Sequence, residues 1–333
     1  MSVRVLRPGS LTTIQDLGRS GWKQFGVVGG GAMDTVALRV ANLLVGNVPG
    51  AAALELTLIG PTLHFPNETL VAITGGDSLP RVAGEPVPMQ RPVLLERGTT
   101  LTFDAARRGC HAYLAIAGGI DVPEVLGSRG TYLRAKLGGF EGRPLQPGDE
   151  LPIGVPTHWA GRLADKLTAQ RGSSLFTSVP WFAGIETVPS SPIVVRVLRG
   201  PEFEALTPES QQQLFADEFS VSPQSDRMGY RLTGPRLELA VTGELLSSAV
   251  YPGALQLPPE GQLIVLMADC ATVGGYPRVA HVASVDLPLM AQLKPGDLFR
   301  LDEISLEQAH NLVRQQEYAI RCLTTSLNLK VAS

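Results

Sequence analysis

The sequence VRVLR at residues 3–7 recurs unchanged at residues 195–199. Two further pairs of similar stretches follow in the same order, namely LIGPTL at 58–63 with LTGPRL at 232–237 and LQPGD at 145–149 with LKPGD at 293–297. One five-residue match arises easily by chance in apolar strands, whereas three matches in one order indicate an internal repeat. We therefore predict two related domains in tandem, with the longer loops in the first.

Turn-forming residues are abundant, since the 333-residue chain holds 36 glycines and 26 prolines. The hydrophobic fraction of 44% is high enough for a packed core, which excludes a disordered, collagen-like or coiled-coil chain. Short apolar runs bounded by glycine or proline are typical of strands in barrels and sandwiches. Such runs occupy residues 53–59, 69–74, 99–103, 111–117, 236–241 and 262–267. The composition therefore favours a mainly β fold with a few helices.

Three helices are predicted from their start signals. Asp34 is a candidate N-cap for a helix that ends within residues 42–45. Thr207 and Pro208 are residue types preferred at the N-cap and first position of a helix, here one running through residue 215. Residues 305–308 have the spacing of a capping box, which predicts a C-terminal helix.

The repeat sets the predicted domain boundaries. The first domain is expected over residues 1–155 and the second, with the C-terminal helix, over residues 193–333. Residues 156–192 are weakly periodic and end in a proline- and serine-rich stretch, so we predict a connector there.

The charge pattern excludes several classes of partner. The formal net charge is −3, and no dense run of lysine and arginine offers a footprint for phosphate backbones, so nucleic acid is not an expected partner. The N-terminus lacks the apolar core of a secretory signal, and no stretch approaches the roughly 18 apolar residues that span a bilayer. Three widely spaced cysteines, at 110, 270 and 322, suit a reducing compartment. We therefore expect a cytoplasmic protein without a membrane partner.

Common nucleotide and metal motifs are missing from the sequence. No G-x-x-x-x-G-K-[ST] is present, and no G-x-G-x-x-G follows a candidate parallel strand. The five histidines stand apart from one another and from the cysteines, so no metal site is predicted.

Polar residues embedded in glycine are the first candidate site. Gln15, Asp16 and Arg19 place an amide, a carboxylate and a guanidinium on one predicted turn. The three glycines at 29–31 bring backbone N–H groups to the start of the Asp34 helix, where an anion or a carbonyl oxygen can bind. Alternatively, Asp34 only caps its helix and the glycines only form a turn.

The stretch SDRMGYRL at residues 225–232 is the second candidate site. In an extended strand Arg227 and Arg231 share one face, where two guanidinium groups can hold a carboxylate or a phosphate. Asp226 and Tyr230 share the other face. Alternatively, Asp226 pairs with an arginine and only ties the strand to a neighbour.

Two further stretches of the second half carry isolated polar residues. Gln256 stands among apolar and rigid residues, so its amide needs hydrogen-bond partners if it is buried. Asp269, Thr272 and Tyr276 lie on a glycine-containing turn after an apolar strand, where loops on a rigid scaffold place binding groups. Alternatively, this turn is a barrel corner whose bend requires glycine.

At these residues the chain resembles the KipA-type family, to which the C subunit of 5-oxoprolinase belongs and which is related to the carboxyltransferase domain of biotin-dependent urea carboxylases. The resemblance covers about residues 3 to 303 and implies two tandem cyclophilin-like β-barrel subdomains. The matching stretches are TIQDLGR at 13–19, GAMD at 31–34, ALELT at 53–57, LAIAGGIDVP at 114–123, LGSR at 126–129, GGFEGR at 138–143, SDRMGYRL at 225–232, PGALQ at 252–256 and GGYP at 274–277.

The resemblance also implies an activity. Members of the family act in an ATP-dependent 5-oxoprolinase complex, which opens the lactam of 5-oxo-L-proline to L-glutamate. The implied partners are a KipI-type protein, similar to the B subunit of 5-oxoprolinase, and a LamB/YcsF-type protein, similar to its A subunit. ATP is the implied co-substrate of the complex, together with Mg²⁺. Such chemistry requires activation of an unreactive amide, for example by phosphorylation of its oxygen before water attacks. Arginines and backbone N–H groups would stabilise the developing charge.

From these stretches we derive a hypothesis for the site. Arg227 and Arg231 bind a carboxylate or a phosphate, while Gln256 and Asp269 orient the substrate or water. The predicted catalytic residues are Arg227, Gln256 and Asp269. The predicted substrate-binding residues are Gln15, Asp16, Arg19, Tyr230, Arg231, Thr272 and Tyr276.

Two departures from the family pattern leave alternatives open. Residues 269–273 read DCATV where the family usually has DRQTT, and Ser248 stands where an acidic residue is common. One alternative is a carboxyltransferase subunit of a biotin-dependent urea or amide carboxylase. Its biotin would come from a partner chain, because the Met-Lys-Met acceptor segment is absent. The other is a non-catalytic KipA-type protein that sequesters an inhibitor of a histidine kinase, which requires only an interface.

Overall fold

The computed structural model describes residues 1–185, 191–240 and 245–332. The chain divides into two compact units. Unit 1 comprises Met1–Arg19, Asp34–Val188 and Ala319–Ser333, and unit 2 comprises Ser20–Met33 and Pro189–Tyr318. This division departs from the predicted one, because residues 20–33 join the second unit, whereas residues 156–185 of the predicted connector and residues 319–332 of the predicted second domain join the first. Residues 186–190 of that connector lie outside the described residues.

Unit 1 contains two six-stranded sheets and two helices. The sheet orders are β11-β1-β4-β9-β6-β7 and β12-β8-β5-β10-β3-β2. The strands are β1 Ser2–Arg7, β2 Leu11–Gln15, β3 Ala53–Thr57, β4 Thr62–Phe65, β5 Thr69–Asp77, β6 Arg81–Val82, β7 Glu85–Pro86, β8 Pro92–Leu95, β9 Thr99–Thr102, β10 Arg108–Ile116, β11 Glu150–Pro152 and β12 Phe176–Ser178. The helices are α1 Thr35–Leu44 and α2 His158–Gln170.

The long strands β5 and β10 are the centre of the second sheet. Their apolar side chains, among them Ile73 and Leu114, join the core cluster of unit 1. The other face of these strands is covered by α1, whose Ala37 carbonyl accepts a hydrogen bond of 2.7 Å from Thr74. Both strands are therefore buried on two faces, which explains why their sequences are nearly continuous apolar runs.

Unit 2 is built around a closed seven-stranded barrel, in the order β13-β20-β17-β18-β15-β14-β21. A separate two-stranded ribbon pairs β16 with β19. The strands are β13 Ile193–Arg199, β14 Glu218–Val221, β15 Gly229–Thr233, β16 Ser248–Ala249, β17 Ala254–Gln256, β18 Ile264–Leu266, β19 Val273–Gly274, β20 Arg278–Val282 and β21 Leu298–Glu303. The helices of unit 2 are α3 Pro208–Ala216 and α4 Leu287–Ala291, and the last helix of the chain, α5 Leu306–Ala332, begins in unit 2 and ends in unit 1.

The predicted mainly β fold with a few helices is confirmed. Among the helices of the described ranges, none combines the length and the hydropathy that crossing a bilayer requires. Short 3-10 turns occupy Lys23–Phe25, Leu133–Ala135, Phe203–Ala205 and Ser284–Asp286.

The three predicted helix starts are confirmed by their caps. The Asp34 carboxylate accepts a hydrogen bond from the backbone N–H of Ala37 at 2.8 Å. Thr207 accepts one from Ser210 in the same way. Residues 305–308 form a reciprocal capping box, with hydrogen bonds of 2.7 and 3.2 Å.

Two predictions of secondary structure are wrong. Residues 236–240 form no strand, and residue 241 of that predicted strand lies outside the described residues. The barrel closes without this segment, since β15 already has β14 and β18 as neighbours. Within the predicted connector lie α2 and β12, and β12 pairs with β8 of unit 1. Only Ala160, Leu163 and Leu167 of α2 are buried, which explains the weak periodicity of that stretch.

The LxPGD stretches of the repeat adopt the same turn in both units. The Asp149 carboxylate accepts a hydrogen bond of 2.7 Å from the backbone N–H of Gln146. The Asp297 carboxylate accepts one of 2.8 Å from Lys294. The glycine that precedes the aspartate has a φ of 92° in the first turn, at Gly148, and of 90° in the second, at Gly296. Only glycine adopts this backbone conformation without strain.

The VRVLR stretches, in contrast, are not structurally equivalent. Gly148 of the first turn donates a hydrogen bond to Val5 in β1, and Gly296 of the second donates one to Val221 in β14, both at 2.8 Å. The strand after the turn runs antiparallel to β1 in unit 1 and to β14 in unit 2. The second VRVLR lies in β13, which pairs parallel with β21. The counterpart of β1 is therefore β14.

Candidate functional site

The predicted site residues fall into two groups, one in each unit, and each group has its own surroundings. The group in unit 1 consists of Gln15, Asp16 and Arg19. The group in unit 2 consists of Arg227, Tyr230, Arg231, Gln256, Asp269, Thr272 and Tyr276.

Asp16 follows β2 and holds a neighbouring loop in place. One oxygen of its carboxylate accepts hydrogen bonds from the Gly18 N–H at 2.8 Å and the Ser128 hydroxyl at 2.6 Å. The other oxygen accepts one from the backbone N–H of Arg129 at 2.6 Å. Because both oxygens are engaged within the chain, this geometry favours a positioning role for Asp16 over direct contact with a substrate.

Gln15 is completely buried at the end of β2. Its Nε2 donates hydrogen bonds of 3.1 Å to the Thr13 hydroxyl and to the Thr131 carbonyl. The carbonyl contact fixes which amide atom is the nitrogen, since a carbonyl only accepts. Its Oε1 has no hydrogen-bond partner in the described part of the chain. A buried acceptor of this kind is unfavourable unless a bound molecule supplies a donor.

Arg19 is also buried, and its Nη2 donates a hydrogen bond of 2.6 Å to the Gly130 carbonyl. Gly138 packs directly against this contact. A Cβ added to Gly138 would lie 2.2 Å from the Arg19 Nη2 and 2.3 Å from the Gly130 oxygen. The glycine therefore permits the close approach that holds Arg19 in place.

The groups of the expected anion site before α1 form hydrogen bonds within the chain. The backbone N–H of Asp34 donates to the Tyr113 hydroxyl, which in turn donates to the Glu55 carboxylate, both at 2.7 Å. Burial and the nearby Glu55 carboxylate raise the pKa of Tyr113 well above its usual value, so the hydroxyl stays protonated. Gly30 donates its N–H to the Ala268 carbonyl within unit 2. These contacts favour the alternative in which Asp34 caps and the glycines turn.

Arg227 and Asp269 form a buried ion pair in unit 2. The Nε of Arg227 lies 2.8 Å from one carboxylate oxygen of Asp269, and Nη2 lies 3.0 Å from the other. Nη2 also donates to the Gly31 carbonyl at 2.6 Å. Their side chains are only 7% and 5% exposed. The structure thus brings together two of the three predicted catalytic residues.

The predicted shared face of Arg227 and Arg231 is wrong. Arg227 precedes β15, which begins at Gly229, whereas Arg231 lies within the strand and is exposed. The alternation of side chains along one strand therefore does not place the two guanidinium groups on the same face. The alternative involving Asp226 is not found either, because its carboxylate accepts hydrogen bonds from the backbone N–H groups of Met228 and Gly229. The acidic partner of Arg227 is Asp269 instead.

Tyr230 points into the barrel, which corrects its assignment to substrate binding. Its ring belongs to the core cluster of unit 2, and its hydroxyl donates to the Ala291 carbonyl at 3.4 Å. Thr272 is half-buried and Tyr276 is 47% exposed beside the ribbon of β16 and β19. These two residues keep surfaces that a ligand can reach.

Gln256 ends β17 and is buried beneath the same ribbon. A Cβ added to Gly274 of β19 would lie 2.6 Å from the Gln256 Nε2. This nitrogen is fully buried and has no hydrogen-bond partner among the residues that the structure describes. Its surroundings therefore leave its hydrogen-bonding capacity unused.

Sequence reasoning missed Ser128, Arg129 and Thr131, which surround the unit 1 group. Ser128 and Arg129 lie in the stretch LGSR, which carries only the resemblance, and Thr131 lies in none of the matching stretches. A lone serine or threonine in a loop carries no chemical signal of its own, so only the hydrogen bonds to Asp16 and Gln15 reveal them. In the described ranges no three His, Cys, Asp or Glu side chains are grouped as for a metal ion.

Cys270 follows Asp269 but is not a nucleophile at neutral pH. Burial is the main reason that the pKa of its thiol is raised to about 11, with Lys23 opposing the shift and the neighbouring Asp269 carboxylate adding to it. The reactive thiolate is therefore scarce.

Alkylation by iodoacetamide at pH 7.5 is expected to modify the exposed Cys322 and to spare Cys270 in the native chain. Mass spectrometry of the digested protein measures both sites. A Cys322→Ser variant serves as the control and should lose the fast labelling. Labelling of Cys270 at a rate similar to that of Cys322 would contradict the assignment.

Comparison with known proteins identifies a family and close relatives. Residues 25–303 match the family described as carboxyltransferase domain, subdomain A and B. The chain is 39% identical over 315 residues to the C subunit of 5-oxoprolinase from Escherichia coli strain K12 and 36% identical to the same subunit from Haemophilus influenzae. Each alignment covers 95% of both chains.

A solved structure is also similar along nearly the whole chain. The crystal structure of the K. lactis urea amidolyase superposes on 97% of this chain, with a TM-score of 0.86 and 32% identity. The matched part is 20% of that much longer chain.

Proposed function

The chain belongs to the carboxyltransferase domain family of subdomains A and B, and from this premise we propose that it is the C subunit of a 5-oxoprolinase. In this role it acts in an ATP-coupled complex that hydrolyses 5-oxo-L-proline to L-glutamate. The observation that carries the proposal is the similarity to two 5-oxoprolinase C subunits over 95% of both chains. A similarity of this extent includes both units rather than one shared domain.

The proposed complex contains two further kinds of chain. A C subunit implies other subunits, and we assign these places to a KipI-type protein in the role of the B subunit and a LamB/YcsF-type protein in the role of the A subunit. ATP enters as a co-substrate of the complex, with Mg²⁺ bound to the nucleotide. The complex is proposed to be cytoplasmic, and each subdomain to be cyclophilin-like.

Within this chain we propose different roles for the two kinds of buried polar group. The buried Arg227–Asp269 pair is held by hydrogen bonds within the chain and positions the segments around it. Gln15 and Gln256 each keep a buried amide atom without a partner in the described ranges, so they are the better candidates for contact with substrate. Arg231, with Thr272 and Tyr276, is assigned to binding at the surface of unit 2.

Co-expression with the two partner proteins tests the proposal. The purified complex is expected to release ADP and L-glutamate in equal amounts, and only when 5-oxo-L-proline is present. A preparation that lacks this chain is the control and should show no such coupling. A complete complex without 5-oxoproline-dependent turnover would overturn the proposal.

The similarity to urea amidolyase favours one alternative, a carboxyltransferase subunit whose substrate is urea or a related amide. Biotin would then be supplied by a partner chain. Turnover under this alternative requires bicarbonate, is blocked by avidin and uses urea in place of 5-oxoproline. A complex that assembles but turns over neither substrate would instead favour a non-catalytic KipA-type regulator.

A further inference from the structure

Gln256 is a buried amide whose hydrogen bonds the protein does not supply. The residue is only 6% exposed, and its Nε2 is fully buried. Neither amide atom forms a hydrogen bond with any residue in the described part of the chain. Burial of an unpaired amide nitrogen is unfavourable, so the position of Nε2 is costly unless it binds something else.

The surroundings of Gln256 lie outside the barrel core and include an apolar cluster and Arg278, its cross-strand partner on β20. Its neighbour Leu255 belongs to that core, so strand alternation directs Gln256 to the outer face of the barrel. A small separate cluster of Val250, Ala254, Leu266 and Cys270 packs on this side. A Cβ on Gly274 would meet both the Gln256 Nε2 and Val250. The amide thus lies beside apolar side chains with a guanidinium across the sheet, and apolar walls with a few polar groups are the usual composition of a small-molecule site.

Gln262, also in unit 2, is a carboxamide whose two amide atoms both form hydrogen bonds. Its Oε1 accepts a hydrogen bond from the Gly234 N–H at 3.2 Å, and its Nε2 donates one to the Gly234 carbonyl at 3.3 Å. A carboxamide therefore matches an amide partner that presents one donor and one acceptor on the same side. Gln256 lacks such a partner within the described part of the chain.

We propose that the Gln256 carboxamide binds the amide edge of the substrate lactam. Its Nε2 donates to the lactam carbonyl, and its Oε1 accepts from the ring N–H. The five-membered ring holds the lactam N–H and carbonyl on the same side, so both bonds form at once. Urea presents the same donor and acceptor pair, and the experiment therefore includes it. This inference rests on the proposed function, since that function supplies the lactam.

The ribbon formed by β16 and β19 covers the Gln256 amide and has to shift to admit a ligand. Two residue pairs join its strands, Ser248 with Gly274 and Ala249 with Val273. Val273 is exposed, so little packing holds the outer side of the ribbon. The ribbon acts as a cover over the recognition group, and its opening has to break the hydrogen bond of 3.2 Å from the Arg278 guanidinium to the Ala249 carbonyl.

Replacement of Gln256 by leucine in the reconstituted complex tests the assignment. The Gln256→Leu variant is expected to lower kcat/KM for 5-oxo-L-proline by about 100-fold, since two hydrogen bonds are each worth about tenfold. Gly274→Ala should have a similar effect, because its Cβ would displace Nε2. Gln262→Leu is the matched control and should leave kcat/KM within about threefold once folded protein is equalised by circular dichroism.

A binding measurement separates this inference from the proposed function. The side-chain NH₂ resonance of Gln256 in the full chain is assigned by its loss in Gln256→Leu and followed during addition of 2-pyrrolidinone, N-methyl-2-pyrrolidinone or urea. The lactam is expected to shift this resonance, and the N-methyl analogue, which lacks the N–H, to bind about tenfold more weakly or worse. A larger response to urea than to the lactam would overturn the assignment to a lactam.

The two measurements have separate outcomes. An active wild-type complex whose Gln256→Leu variant keeps its kcat/KM would overturn the inference and leave the proposed function standing. A wild-type complex that is inactive with 5-oxoproline would overturn the proposed function, whereas a Gln256 resonance that still responds to the lactam would support the amide site itself. A resonance that responds to none of the three probes would overturn the site.

Discussion

Replacing Asp269 with alanine is expected to lower the free energy of unfolding by about 3–5 kcal/mol. The change leaves the buried guanidinium of Arg227 without the carboxylate that binds it at 2.8 and 3.0 Å. Removal of one partner of a buried pair costs more than the pair itself contributes, because the remaining charge stays desolvated. Urea denaturation followed by circular dichroism measures the effect.

Two comparisons make this result specific to the buried charge. The double variant Arg227→Met with Asp269→Leu removes both charges and should recover most of the lost stability. Glu150→Ala breaks an ion pair with Arg4 whose side chains are 52% and 56% exposed, so a change of about 0–1 kcal/mol is expected. If Asp269→Ala cost no more than Glu150→Ala, the pair would not carry the positioning role.

Replacing Gly138 with alanine is expected to lower the free energy of unfolding by about 2–5 kcal/mol. Gly138 has a φ of 67°, where a side chain is strained. The added Cβ would also meet the Gly130 oxygen at 2.3 Å, and that oxygen is the acceptor for Arg19. Backbone atoms cannot rotate away, so the loop beside Gln15 and Asp16 has to move. Kinetic assays of the complex should therefore show a loss of activity alongside the lower stability.

Gly127→Ala is the matched control in the same unit. Gly127 has a φ of 79°, but nothing lies within 4 Å of its added Cβ. Its cost is limited to backbone strain of about 1–2 kcal/mol. Equal effects of the two substitutions in the denaturation curve would show that close packing against Arg19 has no part in the stability of the loop.

The helix caps could be predicted from the sequence because each capping residue forms its hydrogen bond with a residue close to it in the chain. Asp34, Thr207 and Ser305 cap their helices through contacts no more than three residues away. The helix α2 was not predicted because few of its residues are buried. The periodicity of apolar residues in its sequence is therefore weak.

Ion pairs between residues far apart in the chain could not be predicted from the sequence in this way. Arg227 is adjacent to Asp226 in sequence but pairs with Asp269, 42 residues further on. Adjacent side chains on an extended chain point in opposite directions, whereas the barrel brings two distant segments side by side. The sequence indicates Asp269 and Gln256 as candidates, yet only the fold shows that Asp269 is paired with Arg227 and that the Gln256 Nε2 has no partner in the described ranges.

The repeat illustrates how identical letters can occupy different places. VRVLR is five residues of alternating pattern, which fits any half-buried strand, so it appears in β1 and in β13 without structural equivalence. The LxPGD turn demands a glycine of positive φ and an aspartate that accepts a backbone hydrogen bond. Such narrow geometric requirements make that stretch the reliable sign of correspondence.

The excursion of residues 20–33 into unit 2 has a consequence for biogenesis. Met33 is part of the barrel core, and Gly31 supplies an acceptor to Arg227. These residues are synthesised long before the barrel strands. They can therefore take their places in unit 2 only after those strands have been translated. A fragment that begins at residue 193 would lack both residues, so we expect its barrel to be less stable than the barrel of the whole chain.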